Sequence, residues 1–239
     1  MNTWGIVGLG WLGCELSKEI EKAGDQFWGT HRNSFDFARD LFPSPACDIL
    51  FLNTPPVLEM TPKEFAQKIP LSSAKKIIFI SSTSVYGENV GLINENDLPQ
   101  PSSRNGHWLL EVENHLQSIF LDRIKILRPG GLIGGQRHPI HHLAGKSGLA
   151  GGRSQINLIH RADLVNIILV LAKTEMNTPV INAVAPYHPK KSDYYSEWAD
   201  KLGLSHPLYD QSASELRQID SLFLSTLYPN WKCPKLDFI

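Results

Sequence analysis

An apolar run at residues 4–7 gives way to Gly8-Leu9-Gly10-Trp11-Leu12-Gly13, and no other stretch constrains the chain as much. Three glycines at this spacing, directly after a strand and opening a helix, each do a separate job. Gly8 permits a tight turn, Gly10 lets the backbone approach a diphosphate, and Gly13 allows helix and sheet to pack closely. The positive end of the helix, with its unpaired N–H groups, stabilises such an anion. Gly8, Gly10, Trp11, Leu12 and Gly13 are therefore candidate dinucleotide contacts. Leu12, Leu16, Ile20 and Ala23 recur at helical intervals, predicting one buried face that Gly24 terminates.

The pattern repeats down the chain. Short runs at 27–30, 48–52, 77–80, 124–127 and 180–183 read as strands, and those at 48–52 and 77–80 are continuous apolar runs too short for helices, as expected of strands covered on both faces. Between them, 61–69 and 108–120 carry helical periodicity, and Asp163 is placed to cap a helix whose Leu164, Ile167, Ile168 and Leu171 are apolar almost all round. Alternation of this kind predicts an α/β protein built as a doubly wound parallel sheet of the Rossmann type. We expect this domain to span residues 1–185. A small C-terminal lobe at 186–239, with helical patches near 194–202 and 213–224, packs over the strand ends.

Cofactor choice depends on the end of the second strand. NAD-selective sites place Asp or Glu about 20 residues after the glycines to bind the ribose 2′-hydroxyl. Here the stretch reads Thr30-His31-Arg32-Asn33, with no carboxylate, and Arg32 offers a planar fork suited to a 2′-phosphate. NADP is expected over NAD by roughly ten- to a hundredfold, the worth of one charge-assisted contact.

Charge narrows the partners. With 23 Lys and Arg against 24 Asp and Glu, the chain lacks the basic field that nucleic acid or anionic lipid would require, so a small molecule is the expected partner. Cys14, Cys47 and Cys233 are odd in number and far apart, which argues against a disulfide framework or a zinc site and for a reducing cytoplasm. The N-terminal apolar stretch is short and glycine-broken, unlike a secretion signal, and no later run reaches the length of a membrane span.

Ser81-Ser82-Thr83-Ser84-Val85-Tyr86-Gly87 resembles the "SS-x-x-VYG" signature of the extended short-chain dehydrogenase/reductase family, the NAD-dependent epimerase/dehydratase group. Arg128-Pro129-Gly130-Gly131-Leu132-Ile133-Gly134 is similar to that family's "RP-x-x-x-YG" segment, and Ile159-His160-Arg161-Ala162-Asp163 to its "IH-x-x-D" segment. With the glycine loop these cover about residues 1–185, and the pattern is nearest the short members described as nucleoside-diphosphate-sugar epimerase-like. The resemblance implies cofactor contacts at His31, Arg32, Thr54, Pro55 and Ser81. It also implies that Ser82 binds the reacting oxygen.

The family's Tyr-x-x-x-Lys pair is missing. Aligning Gly106 and Glu113 with the family's usual Gly and Glu puts Asn105 at the Tyr position and Leu109 at the Lys position. Asn has no exchangeable proton near neutral pH and Leu has no donor, so the usual acid/base step is lost. A two-residue shift would instead bring in His107 or Glu111, and His107 is the candidate to replace the missing acid. His138, His141 and His142 read as a loop over the cofactor rather than a metal site. Tyr86, Tyr187, Tyr194 and Tyr195 are candidates for a substrate cleft. The resemblance implies an NADP-dependent oxidoreductase or epimerase acting on a sugar or nucleotide sugar, the alternative being a non-catalytic NADP(H) sensor or regulator. A monomer or homodimer is expected.

Overall fold

A computed structural model describes residues 1–239 except 44, 73, 88, 176–177, 211–215 and 238–239. Strand β1 (Thr3–Val7) feeds helix α1 (Trp11–Lys22), and β2 (Gln26–Thr30) returns beside it. β3 (Cys47–Leu52), α2 (Pro62–Gln67) and β4 (Ala74–Ile80) follow, then β5 (Gly91–Ile93) and the long helix α3 (Arg104–Phe120). After β6 (Ile124–Pro129) come β7 (Gly131–Ile133), α4 (Ile140–Leu143), β8 (Leu158–His160), α5 (Arg161–Lys173) and β9 (Val180–Ala183). The C-terminal part holds α6 (Lys191–Leu202), β10 (Arg217–Ile219) and α7 (Leu224–Leu227).

Six strands form one parallel sheet in the order β2-β1-β3-β4-β6-β9. Side chains alternate across it. Leu50, Leu52, Ile77 and Phe79 pack with Phe65 of α2 and Trp108, Val112 and Leu116 of α3. Ile49, Phe51 and Ile78 point the other way, onto Leu16 and Ile20 of α1 and Ile167, Ile168 and Leu171 of α5. Both faces are thus sealed, which is why the strands read as unbroken apolar runs. Because β2 lies on one side of β1 and β3 on the other, the chain reverses its winding between β1 and β3. Loops leaving those two strand ends diverge, and the crevice between them is where open α/β sheets bind ligands.

A third cluster joins Ile133, Ile140, Ile156 and Leu158 to Tyr194, Tyr195 and Trp198 of α6 and to Leu236, so this packing draws on both sides of residue 185. Two further parallel pairs lie outside this sheet, β5 with β10 and β7 with β8.

Three expectations change. Helix α3 begins at Arg104, four residues before the apolar stripe, because the Ser103 hydroxyl accepts from Gly106 N at 3.0 Å and nucleates an exposed turn. Asp163 is not the cap of α5. His160 is, its Nδ1 accepting from Ala162 N at 3.2 Å, while the fully buried Asp163 carboxylate receives Tyr228 Oη (2.9 Å), Lys232 N (2.7 Å) and Cys233 N (3.0 Å) and so anchors the C-terminal segment. The helical patch read at 213–224 is instead a strand at Arg217–Ile219, where Asn157 Oδ1 accepts from Ile219 N at 2.7 Å; residues 213–215 lie outside the described ones. Among the described residues, no helix is long and apolar enough to cross a membrane.

Candidate functional site

The glycine loop sits at the β1/β3 crevice. A Cβ on Gly8, whose φ is +108°, would fall 2.3 Å from the Asn53 carbonyl oxygen, and one on Gly13 would fall 2.3 Å from that of Gly8. Both glycines are therefore demanded by the fold itself. Gly10 differs, since a Cβ there would meet nothing within 4 Å and would project into open space. It is also the N-cap of α1 and supplies no side-chain acceptor, so the first-turn N–H groups of Trp11, Leu12 and Gly13 have no capping partner. A bare backbone approach over uncapped helical N–H groups fits a diphosphate. Thr30 pins the turn from the other side, its Oγ1 accepting from Gly8 N at 3.1 Å and its carbonyl from Leu9 N at 2.7 Å.

Two adjoining cavities share Asn53, Thr54, Pro55 and Pro56 as a common wall, and one of them reaches this loop at Gly8. The first, about 480 Å³, is lined by Gly8, His31, Arg32 and Phe35, which brings the glycine loop, the end of β2 and the end of β3 together. Its exposed lining includes Arg32, but the expectation of no carboxylate needs correcting. Asp36, in the loop after β2, and Glu59, in the loop after β3, also reach the lining, and both pair with Arg39, at 3.5 and 3.7 Å. Asn53 heads the shared wall; its Nδ2 donates to Gly8 O at 3.2 Å and its backbone N to Val7 O at 2.9 Å, tying the two strand ends.

The second cavity, about 370 Å³, is lined by Ser81, Ser82, Ser84, Asn105 and Leu109 beside the shared Asn53–Pro56 wall. Asn105 and Leu109 thus share one face of α3, the face that looks at the end of β4. His107 is exposed and lies outside this lining, because two residues along a helix turn a side chain about 200° away. None of the lining side chains titrates near neutral pH. Ser82 Oγ accepts from Ser84 N at 3.1 Å, which leaves its own proton free to be donated.

Behind Ser81 runs a buried polar chain that the sequence did not reveal. The Ser81 hydroxyl donates to Glu113, one helical turn beyond Leu109; Arg128 Nε donates to both Glu113 oxygens, at 3.1 and 3.2 Å. Arg128 Nη1 donates to Tyr86 Oη at 2.8 Å, and Tyr86 donates to Asn182 Oδ1 at 3.0 Å. Tyr86 is therefore part of the core and not of a cleft, and its burial raises its pKa. Paired charges with every partner satisfied lock the strand end against α3.

Trp11 carries two guanidinium groups over its ring, Arg161 at 4.2 Å and Arg137 at 5.1 Å from the centroid. Arg161 also donates to Trp11 O at 3.3 Å and pairs with Glu15 at 3.4 Å. Through Arg137, the loop before α4 reaches the glycine loop, but its histidines do not converge there. His138 is buried against Tyr194 and Trp198, with Nε2 3.0 Å from Tyr194 Oη, and burial lowers its pKa to about 4; His141 and His142 are exposed. His160, Asp163 and Cys233 do come within 4.8 Å of one another, yet both Asp163 oxygens are already committed to the C-terminal segment.

Compared with curated proteins, the chain is 30% identical to Protein YeeZ of Escherichia coli strain K12 over 247 aligned positions, covering 89% of this chain and 88% of that one. The chain belongs to the YeeZ family. No family model matches. Among solved structures, a functionally unknown conserved protein from Silicibacter pomeroyi DSS superposes with a TM-score of 0.78 at 19% identity, covering 98% of this chain and 95% of that one. The UDP-glucuronic acid 4-epimerase of Bacillus cereus, solved in complex with NAD, superposes with a TM-score of 0.73 at 19% identity, covering 95% and 92%. This YeeZ relative thus has the fold of the NAD-dependent epimerases and related reductases, as the Ser81–Gly87 and Arg128–Gly134 segments led us to expect.

Proposed function

We propose that the chain binds NADP(H) and acts as a dinucleotide-dependent sensor or regulator that lacks the proton relay of the epimerases. In this reading the diphosphate lies over Gly10 against the N–H groups opening α1, the adenosine end enters the cavity of His31, Arg32 and Phe35, and the nicotinamide end faces Ser81, Ser82, Asn105 and Leu109. Arg32 takes the 2′-phosphate. Thr54 and Pro55 pass between the two ends.

One observation carries the choice. No side chain lining the Ser82 cavity exchanges a proton near neutral pH, so a carbonyl reduced there would have no protein acid beside it. A second reading, an NADP-dependent oxidoreductase or epimerase on a sugar-type substrate, is favoured by Ser82. Its hydroxyl proton is free to bind a reacting oxygen while solvent supplies the acid. Incubating the protein with NADPH and a panel of carbonyl sugars, followed by absorbance at the reduced-nicotinamide band, separates the two. Tight NADPH binding without oxidation supports the sensor. Turnover that Ser82→Ala abolishes, and that His107→Ala leaves intact, supports the enzyme.

A further inference from the structure

Across the short 3₁₀ turn Thr83–Tyr86 from the Ser82 cavity lies another opening of about 380 Å³. It is walled by Thr83, the segment 154–158, Lys191 and Tyr195 of α6, and Arg217 of β10. The walls are firmly held. Lys191 N donates to Ser154 O and Ser192 N to Gly152 O, each at 2.9 Å, while Asn157 Nδ2 donates to Arg217 O at 2.9 Å and Arg217 Nε to Asn89 O at 3.2 Å. Two cations therefore face one space, and among its described lining residues there is no Asp or Glu. Lys191 is also the first residue of α6, so the positive end of that helix adds to the same field. Ser154 contributes a hydroxyl to the lining, and Gln155 Oε1 is buried without a hydrogen-bond partner among the described residues.

We propose that this opening binds a compact hydroxylated anion, a sugar phosphate or sugar acid without a nucleotide, with Lys191 on the anionic group and Arg217 adding to the positive field of the wall. Its volume lies near the lower end of the roughly 300 to 1,000 Å³ of ligand sites, and its lining holds a single aromatic ring, Tyr195. Polar amides and hydroxyls with two cations suit a small polyol better than a base. Sharing the Thr83 turn, such a ligand would lie next to the Ser82 cavity. The inference goes beyond the dinucleotide site and uses none of its residues.

Calorimetric titration of the whole chain tests it, with glucose 6-phosphate, gluconate, inorganic phosphate and UDP-glucose as probes and NADPH as a separate arm. Glucose 6-phosphate or gluconate should bind, more tightly than inorganic phosphate and at least as tightly as UDP-glucose; which of the two binds assigns phosphate or carboxylate. The half-exposed Lys191→Gln should weaken that binding about tenfold and Lys191→Glu more, with NADPH affinity unchanged. Absence of binding by both sugar anions overturns the proposal, as does unchanged affinity in both Lys191 variants or a marked preference for UDP-glucose. Loss of the NADPH response alone would count against the dinucleotide reading instead.

Discussion

Replacing each glycine of the first loop by alanine separates what the fold requires from what a ligand requires. At Gly8 the new methyl would combine φ of +108° with a 2.3 Å approach to Asn53 O, and at Gly13 it would meet Gly8 O at 2.3 Å. Backbone strain and overpacking cost roughly 1 to 3 kcal/mol each, so these two variants should lose about 3 kcal/mol, lowering Tm by about 6 to 12 °C in a domain of this size. Gly10→Ala meets nothing within 4 Å, and its φ of −90° suits any residue, so its stability should change by less than about 0.5 kcal/mol. Yet that methyl occupies the approach to the uncapped N–H groups, and losing one charge-assisted contact worth roughly 1.5 to 3 kcal/mol should weaken NADPH about ten- to a hundredfold. Thermal unfolding without cofactor and calorimetry with NADPH read the two effects apart. Wild-type NADPH affinity in Gly10→Ala, or a Tm loss as large as that of Gly8→Ala, would show that Gly10 is not where the diphosphate lies.

Two further outcomes follow from buried groups. Asp163→Ala strands the Tyr228 hydroxyl and the Lys232 and Cys233 N–H groups, so urea unfolding should register a loss of about 3 kcal/mol or more; a loss under about 1 kcal/mol would mean the C-terminal segment is not held this way. His138 is kept neutral by burial, and to a smaller extent by His141, with its pKa lowered to about 4. Its folded pKa lies below its unfolded one, so the stability it contributes is full above about pH 6.5 and is lost as pH falls toward 4, on the order of 3 kcal/mol. Tm measured across that range should fall less steeply in His138→Phe than in wild type, and equal slopes would remove His138 as the cause.

The sheet was legible because its strands are sealed on both faces, so residues 48–52 and 77–80 carry a signal that survives without partners. The glycine loop was legible for a similar reason, since Gly8 and Gly13 answer to sterics within a few residues of chain. What escaped depends on contacts distant in sequence. β5 and β10 are three residues each and exist because the chain brings Gly91–Ile93 beside Arg217–Ile219, 126 residues apart. Asp163 read as a cap from its position near a helix start, but its partners lie some 65 to 70 residues on. Ser103 is a missed local signal, an N-cap residue ahead of an apolar stripe. Asp36 reaches the cavity of His31 and Arg32 only through the fold of the loop after β2, which no periodicity marks.

Titrating the purified chain with NADPH and NADH in a calorimeter probes the site as a whole, from the α1 amides to the Arg32 guanidinium. NADPH should bind with about ten- to a hundredfold preference over NADH, and Arg32→Ala should erase that preference while leaving NADH unaffected. No heat from millimolar NADPH would mean that the loop at Gly8–Gly13 holds no dinucleotide.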